Sequence, residues 1–201
     1  MDLYDALEGR RAVKHYDPSY VMPDAEIKEL LRLALLSPTS FNTQNWRLVA
    51  IHDPKLRREI RAVAWDQSQV TDASLLLVLC GDLNAWRKEP HRYLKNSPPE
   101  FQEFIIPAID AYYRDKEQVQ RDEVMRSCGI IAQTLMLTAK AMGYDSCPMV
   151  GFDFSALGKL INLPDDHVVS MMIAIGKATA PANPHGGRLT VDDILVIDRF
   201  K

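Results

Sequence analysis

The chain has 201 residues, of which 47% are hydrophobic and 25% are charged, and these values exclude a wholly disordered, collagen-like or coiled-coil protein. Its formal net charge of −3 provides no global basic field, so we expect no binding to nucleic acid or to an anionic membrane, and any anion site must be local. The length predicts a single domain with a core of its own.

The first half of the chain is predicted to alternate helices with two strands. Its clearest element is a helix over residues 24–36, because the apolar residues follow the i, i+3, i+4 and i+7 spacing and Pro38 ends the pattern. The other predicted elements are a helix over 2–9, a strand over 46–52, a helix over 54–63 and a continuous apolar strand over 74–80 that is buried on both faces.

The second half begins with a polar excursion over residues 82–99. The longest predicted helix covers 122–142; it is apolar on most sides and is capped by Gly143. The remaining predicted elements are a helix over 101–114 that Pro107 interrupts, a helix over 154–161, a strand over 168–175, a Pro- and Gly-rich loop over 178–188 and a last short strand over 194–197.

Helices outnumber the few, scattered strands, which predicts an α+β fold with helices packed around one sheet. Two features do not fit a compact monomer. The longest helix is apolar all round, and the last strand follows a long loop without a neighbouring hairpin partner. A dimer accounts for both features, and so does simple burial within one chain.

Cysteine usage and the terminal sequence suggest the compartment. Cys80, Cys128 and Cys147 are far apart and odd in number, without CxxC or Cys/His zinc spacing, so neither a disulfide framework nor a metal site is expected. The acidic N-terminus lacks the apolar core of a signal peptide, and no apolar run approaches the length of a membrane span. We therefore expect a soluble, cytoplasmic protein.

Common catalytic motifs are missing from the sequence: it contains no GxSxG, HExxH, GxxxxGK[ST] or GxGxxG. Asp165 and Asp166 follow Pro164 and are interpreted as a solvated turn rather than as an acid–base pair. The histidines show no ligand spacing and are interpreted as surface or loop residues; they are His15, His52, His91, His167 and His185.

A basic segment follows the first helix, with Arg10, Arg11 and Lys14 within five residues. Spacing alone favours a solvated helix end, where cations suit the helix dipole. The alternative is an anion site, because arginine forks bind phosphate oxygens in bidentate fashion.

Three further polar segments stand at the ends of predicted elements. Residues 37–46 contain more hydroxyl and amide groups than a capping turn needs. Residues 147–153 contain a PxxG turn, and residues 186–188 read Gly-Gly-Arg. Each of the last two is, by itself, most often an ordinary loop.

Taken in order, these segments resemble the nitroreductase family of FMN-dependent oxidoreductases, and in particular its short bacterial NAD(P)H nitroreductases. The similarity spans nearly the whole chain, and the ordered set is more specific than any one segment. The stretches that carry it are RRAVKHYDP, SPTSFNTQNW, QSQVTDAS, SCGIIAQTLMLTAKAMGYDSCPMVGFD and the late GGR.

The resemblance implies an α/β/α sandwich around a central, mostly antiparallel sheet, in an intertwined homodimer with two FMN sites at the interface. Residues 1–201 would form one FMN-binding domain, with 82–115 as a helical lid. FMN is implied as the bound cofactor and NAD(P)H as the co-substrate.

The resemblance also implies which residues hold the cofactor. Arg10 and Arg188 would bind the FMN phosphate, helped by Arg11 or by the backbone at Ala12. Lys14 would lie near the N1–C2=O edge of the flavin, where a cation favours the reduced state.

Three further groups of residues would surround the flavin ring. Those that line the ring and the ribityl chain from the partner subunit are Pro38, Thr39, Ser40 and Asn42. The pyrimidine edge would be faced by Gln69, with Asp66 or Gln67. The segment that passes beside the ring is Pro148, Met149, Val150 and Gly151, with a backbone N–H near Val150 or Gly151 directed at N5. No essential catalytic side chain is therefore expected.

Some positions depart from the family pattern. Many relatives carry Ser where this chain has Ala12, and some carry Lys where it has Gly186, so its affinity for the phosphate would be lower. Asp66 stands where many have Asn, and Gln69 where some have Lys, which would leave Lys14 as the main positive charge near N1.

The implied reaction is a ping-pong cycle in which NAD(P)H reduces the flavin, leaves, and is replaced by a flat, electron-poor acceptor such as a nitroaromatic or a quinone. Two alternatives stay open. One is a branch of the family that carries out dehalogenation or flavin fragmentation. The other is a flavin-binding or flavin-free interaction protein that has kept the fold and lost turnover.

Overall fold

The computed structural model describes residues 1–200 and contains a four-stranded sheet. The strands are β1 (Trp46–Ala50), β2 (Leu75–Asp82), β3 (Asp145–Met149) and β4 (His167–Gly176). They lie in the order β1-β2-β4-β3, and each neighbouring pair is antiparallel. The predicted α+β fold with a central antiparallel sheet is confirmed.

Helices make up most of the remaining chain. They are α1 (Leu3–Gly9), α2 (Asp24–Ala34), α3 (Pro54–Val63), α4 (Gln69–Asp72), α5 (Pro99–Tyr113), α6 (Glu117–Ala141), α7 (Phe154–Leu160) and α8 (Val191–Ile194). Short 3₁₀ turns form at Ser40–Asn42, Ala85–Arg87 and Pro90–Tyr93. None of the helices within residues 1–200 combines the length and the apolarity needed to cross a membrane.

Strand β2 is buried along its whole length because helices cover both faces of the sheet. Successive residues of a strand point to opposite faces. Val78 packs in one apolar cluster with Ile60 of α3, and Leu77 packs in a second cluster with Leu135 of α6. This arrangement is an α/β/α sandwich.

Strand β3 has no counterpart among the predicted elements, and the segment predicted as a loop over 147–153 begins inside it. Its sequence, DSCPM, has no β-branched or aromatic residue, so propensity gives no signal. Pro148 is tolerated because β3 lies at the edge of the sheet, where a missing N–H disrupts no second ladder.

Two other predictions are wrong. The predicted last strand over 194–197 is absent. Ile194 is the end of α8, and residues 195–197 pair with no strand in the described chain because they reach no free sheet edge. Pro107 does not interrupt α5, which continues from Pro99 to Tyr113. Burial of Ile109 and Tyr113 offsets the hydrogen bond that Pro107 removes.

Arg57 of α3 joins the end of β1 to the start of β2 through backbone carbonyl groups. Its Nε donates to Ile51 O at 2.8 Å and its Nη2 donates to Ser74 O at 3.2 Å, while Nη1 donates to Ala73 O. Arg57 is 8% exposed, and its burial lowers the pKa of the guanidinium group. The side chain therefore satisfies acceptors that water does not reach.

Replacing Arg57 with Met is expected to lower the free energy of unfolding by about 3–5 kcal/mol, because three carbonyl groups lose a charged donor. The thermal midpoint should fall by about 10 °C. Denaturant titration and calorimetry measure both quantities. Arg58→Met on the same helix is the matched control, since Arg58 is exposed and should change stability by less than about 0.5 kcal/mol. Equal losses in the two variants would contradict this role of Arg57.

Candidate functional site

The segment after α1 runs along the outer edge of the sheet beside β3. Ala12 forms a parallel bridge with Ser146, and Val13 N donates to Ser146 O at 3.1 Å. This pairing brings the basic residues 10–14 next to residues 147–151, which lie far away in sequence. Two of the polar segments singled out in the sequence are therefore neighbours.

A third polar segment reaches the same place, because the tail after β4 folds back toward α1. Arg11 Nη2 donates to Asn183 O at 3.2 Å. The pKa of His185 is lowered first by desolvation and then by the positive charges of Arg11, Arg188 and Arg10, so all three charges act on this imidazole. Within residues 1–200, none of the three arginines forms an ion pair with a carboxylate. The cluster is an uncompensated cationic surface.

A chain of polar contacts continues from Lys14 to Gly151. Lys14 Nζ lies 3.4 Å from Cys147 Sγ, and Gln69 Nε2 lies 3.9 Å from the same sulfur. Gln69 Nε2 also donates to Gln67 Oε1 at 3.0 Å, and Gln67 Nε2 donates to Gly151 O at 3.0 Å. Lys14 and Gln69 thus meet at one thiol, and Gln67 and Gly151 extend the polar chain from Gln69.

Cys147 has no place among the predicted site residues, because a lone cysteine carries no spacing signal. Burial raises the pKa of its thiol, and this effect exceeds the lowering by Lys14. The thiol is therefore neutral at pH 7. It leaves the positive charge of Lys14 without a counter-ion inside the described chain.

The loop after β3 offers backbone donors. Val150 is 63% exposed, and neither its N–H nor that of Gly151 donates to another group within residues 1–200. A Cβ atom at Gly151 would lie 2.6 Å from the ring of Trp65, so the ring lies directly against this backbone. Trp65 was also not predicted, since an isolated aromatic residue before a turn carries no periodic signal. Pro148 and Met149, by contrast, lie within β3, and Met149 is buried.

The predicted residues Pro38, Thr39, Ser40 and Asn42 lie elsewhere. They precede β1, which is the opposite edge strand from β3, about 14 Å away across three strand spacings. Thr39 Oγ1 accepts from Gln44 N at 3.0 Å, and Asn42 Nδ2 donates to Tyr93 O at 2.8 Å. In the described chain, no hydrogen bond joins them to the group around Lys14.

A second charged cluster joins Asp82, Asp166 and His167, whose candidate ligand atoms lie within 4.8 Å of one another. Lys88 Nζ lies 2.9 Å from Asp82 and 2.6 Å from Asp166, and the bond with Lys88 is the main reason that the pKa of Asp166 is lowered. Arg47 also pairs with Asp82 at 3.0 Å. The cluster is an ion-pair network.

Two predictions are wrong for residues of this network. His167 starts β4 and is largely buried, and does not lie at the surface or in a loop. Asp166 is ion-paired and not part of a solvated turn.

The aromatic residues of the segment 82–115 divide into two groups. Trp86 and Tyr113 are buried and stack with ring centroids 5.8 Å apart, as expected for core packing. Phe101 and Phe104 are exposed. Phe41 packs edge-on against Tyr113, which connects this segment to the turn before β1.

Comparison with known proteins adds independent findings. The model of the nitroreductase family matches residues 7–177. The chain is 49% identical over 182 residues to Protein DrgA of Synechocystis sp., covering 90% of this chain and 87% of that protein. It is 31% identical over 199 residues to an oxygen-insensitive NADPH nitroreductase of Helicobacter pylori, covering 94% of this chain and 93% of the relative.

Solved structures agree with these sequence relatives. A crystal structure from Exiguobacterium sibiricum, of a protein assigned to the nitroreductases and in complex with FMN, superposes with a TM-score of 0.89. The two sequences are 27% identical, and the superposition covers 98% of this chain and 97% of that one.

Proposed function

Because the chain belongs to the nitroreductase family, we propose that it is an FMN-dependent oxidoreductase that uses NAD(P)H to reduce flat, electron-poor acceptors such as nitroaromatics and quinones. The observation that carries the proposal is the cationic edge beside β3. There, three arginines and one lysine have no carboxylate partner among residues 1–200. An anionic, elongated ligand fits this donor set.

The arginine cluster suits the phosphate group of FMN. The positive charges of Arg10, Arg11 and Arg188 all act on His185, and a phosphate brings about two negative charges at pH 7. Each charge-assisted hydrogen bond contributes about 1.5–3 kcal/mol, so Arg10 and Arg188 together supply about 3–6 kcal/mol. Micromolar binding requires about 8 kcal/mol, so burial of the aromatic ring must contribute the remainder.

The polar group around Cys147 suits the pyrimidine edge of the ring. Lys14 holds an uncompensated positive charge against a neutral thiol, and Gln69 and Gln67 offer amide groups beside it. Lys14 would thus stabilise negative charge at that edge. The free N–H groups of Val150 and Gly151 would orient the ring without a titrating side chain. When bound, FMN supplies the chemistry, accepting a hydride from NAD(P)H and passing two electrons to the acceptor.

We extend the proposal to an intertwined homodimer. Residues 38–42 lie at the opposite sheet edge from Lys14, so they can reach an FMN site only from a second copy of the chain. The tail over 183–200 is exposed throughout and buries none of its large apolar side chains. Those residues are Leu189, Val191, Ile194, Leu195, Val196, Ile197 and Phe200. A partner subunit would cover them, as it would the exposed Ile130 of α6.

Within this single FMN-binding domain, the segment 82–115 is proposed as the lid over the acceptor pocket. It packs as its own small apolar cluster with Trp86, Ile109 and Tyr113, outside the two clusters that cover the sheet. Its exposed face carries Phe101 and Phe104, which are suited to contact a flat ligand.

A spectroscopic experiment tests the proposed function. Purified protein is expected to be yellow or to become yellow with added FMN, and NADH or NADPH should bleach the flavin absorbance anaerobically. Adding a quinone to the bleached protein should then restore the colour. Two separate half-reactions of this kind are the signature of a ping-pong cycle. A protein that FMN does not reconstitute, or that neither nicotinamide bleaches, would refute the proposal.

A further inference from the structure

Trp65 is held on the surface beside the candidate site. Its side chain is 78% exposed, whereas Trp46 and Trp86, the other tryptophans of the chain, are 4% and 5% exposed. Tryptophan is costly to leave in water, because it carries a large apolar surface. The exposed ring is therefore free to contact a ligand that enters the candidate site.

The backbone that presents Trp65 is strained. Trp65 has φ = 53° and Asp66 has φ = 51°, the left-handed region that bulky residues rarely adopt. The turn is held by Arg61, whose Nε pairs with Asp66 Oδ1 at 2.7 Å and whose carbonyl accepts from Asp66 N at 3.1 Å. Strain that neighbouring contacts maintain is typical of functional sites.

The ring of Trp65 lies against Gly151, since a Cβ atom there would come within 2.6–3.2 Å of three ring atoms. Gly151 also receives the hydrogen bond from Gln67 and follows the exposed Val150. The indole thus stands against Gly151, one of the two residues whose N–H groups have no partner within residues 1–200. It is the most exposed aromatic side chain that contacts this loop.

We propose that Trp65 is a specificity-determining residue, the wall against which a flat aromatic acceptor stacks when it enters the site. Offset stacking favours planar, electron-poor rings over compact or aliphatic acceptors, because the indole is electron-rich. The inference rests on the proposed function for the identity of its ligand and deepens it by naming the contact that selects aromatic acceptors.

The kinetic test compares Trp65→Asn, which tolerates a positive φ, with Trp65→Phe, which keeps an aromatic ring. In a ping-pong cycle, kcat/KM for the acceptor is independent of the NAD(P)H half-reaction. Trp65→Asn is expected to lower kcat/KM about tenfold for menadione and less than about twofold for ferricyanide, which has no ring to stack. Trp65→Phe should retain most of the menadione activity. If Trp65→Asn retains or loses kcat/KM equally for menadione and for ferricyanide, the proposal is overturned.

A binding readout separates this inference from the proposed function. In the oxidised holoprotein, benzamide, a flat molecule that the flavin does not reduce, should protect tryptophan fluorescence from acrylamide, and Trp65→Phe should lack the protected component. Protection without any bleaching by NAD(P)H would refute the reductase and keep the stacking site. Absence of protection in a protein that NAD(P)H does bleach would refute the stacking site alone.

Stability and assembly are the final controls. Relief of left-handed strain offsets the small loss of contact with Gly151, so the melting temperature of Trp65→Asn should stay within about 2 °C of the parent. Size-exclusion chromatography should show an unchanged oligomeric state. A large fall in melting temperature or a dissociated oligomer would mean that Trp65 is structural and would overturn the proposal.

Discussion

Replacing Arg10 and Arg188 together with alanine is expected to weaken FMN binding about 100- to 20,000-fold, because two charge-assisted contacts worth about 3–6 kcal/mol are lost. The two guanidinium groups lie at the same cationic cluster although 178 positions separate them in the chain, and no described carboxylate competes for them. Each single variant should lose about half of that free energy. Fluorescence titration of apoprotein with FMN gives the dissociation constants.

Arg58→Ala is the matched control for the arginine pair. Arg58 is an exposed arginine of α3, and its replacement removes the same charge outside the cluster. FMN affinity should therefore change less than about twofold. Turnover of the Arg10 and Arg188 variants should recover when FMN is added in excess. Variants that bind FMN normally yet no longer turn over would refute the assignment of these arginines to the phosphate.

Removing residues 189–201 is expected to convert the proposed homodimer to a monomer, raising its dissociation constant about 1,000-fold or more. Burial of a large apolar side chain contributes about 1.5–3 kcal/mol, and the tail carries seven such side chains that its own chain leaves exposed. Sedimentation velocity measures the change. FMN affinity should fall as well, because residues 38–42 of a second copy would no longer complete the site.

The folded core should survive this truncation, because residues 183–200 bury almost nothing on their own chain. Circular dichroism should therefore remain close to that of the full-length protein. Asp198→Asn is the control within the tail, since Asn also accepts the positive φ found at Asp198 and no apolar surface changes. A truncated chain that remains dimeric would place the interface elsewhere.

Periodic apolar residues made most helices and the central strands predictable. The pattern over 24–36 corresponds to α2, and the continuous apolar run at 74–80 corresponds to β2. The two failures that concern strands share one cause, which is that a segment becomes a strand only where it finds a partner. DSCPM becomes β3 only because β4 offers it a free edge, and the tail at 194–197 forms no strand because it meets no edge in its own chain.

Part of the candidate site was predictable as well, through the resemblance of its segments to a known family. The resemblance indicates Lys14, Gln69 and Gly151, and the structure connects them in one chain of polar contacts through Cys147 and Gln67. Cys147 and Trp65 were not predicted, because neither stands in a pattern. Only the contacts with Lys14 and Gly151 reveal them.

The sequence by itself determined most of the helices and the central strands, the presence of the basic residues and the membership of the chain in its family. These are properties of residue type and order, and they hold whatever the chain contacts. The tertiary structure decided which cations share one surface, which thiol lies beneath Lys14 and which tryptophan stands over Gly151. Such contacts join residues separated by as many as 178 positions, and their free energy depends on distance, burial and dielectric surroundings, which exist only once the sheet has formed.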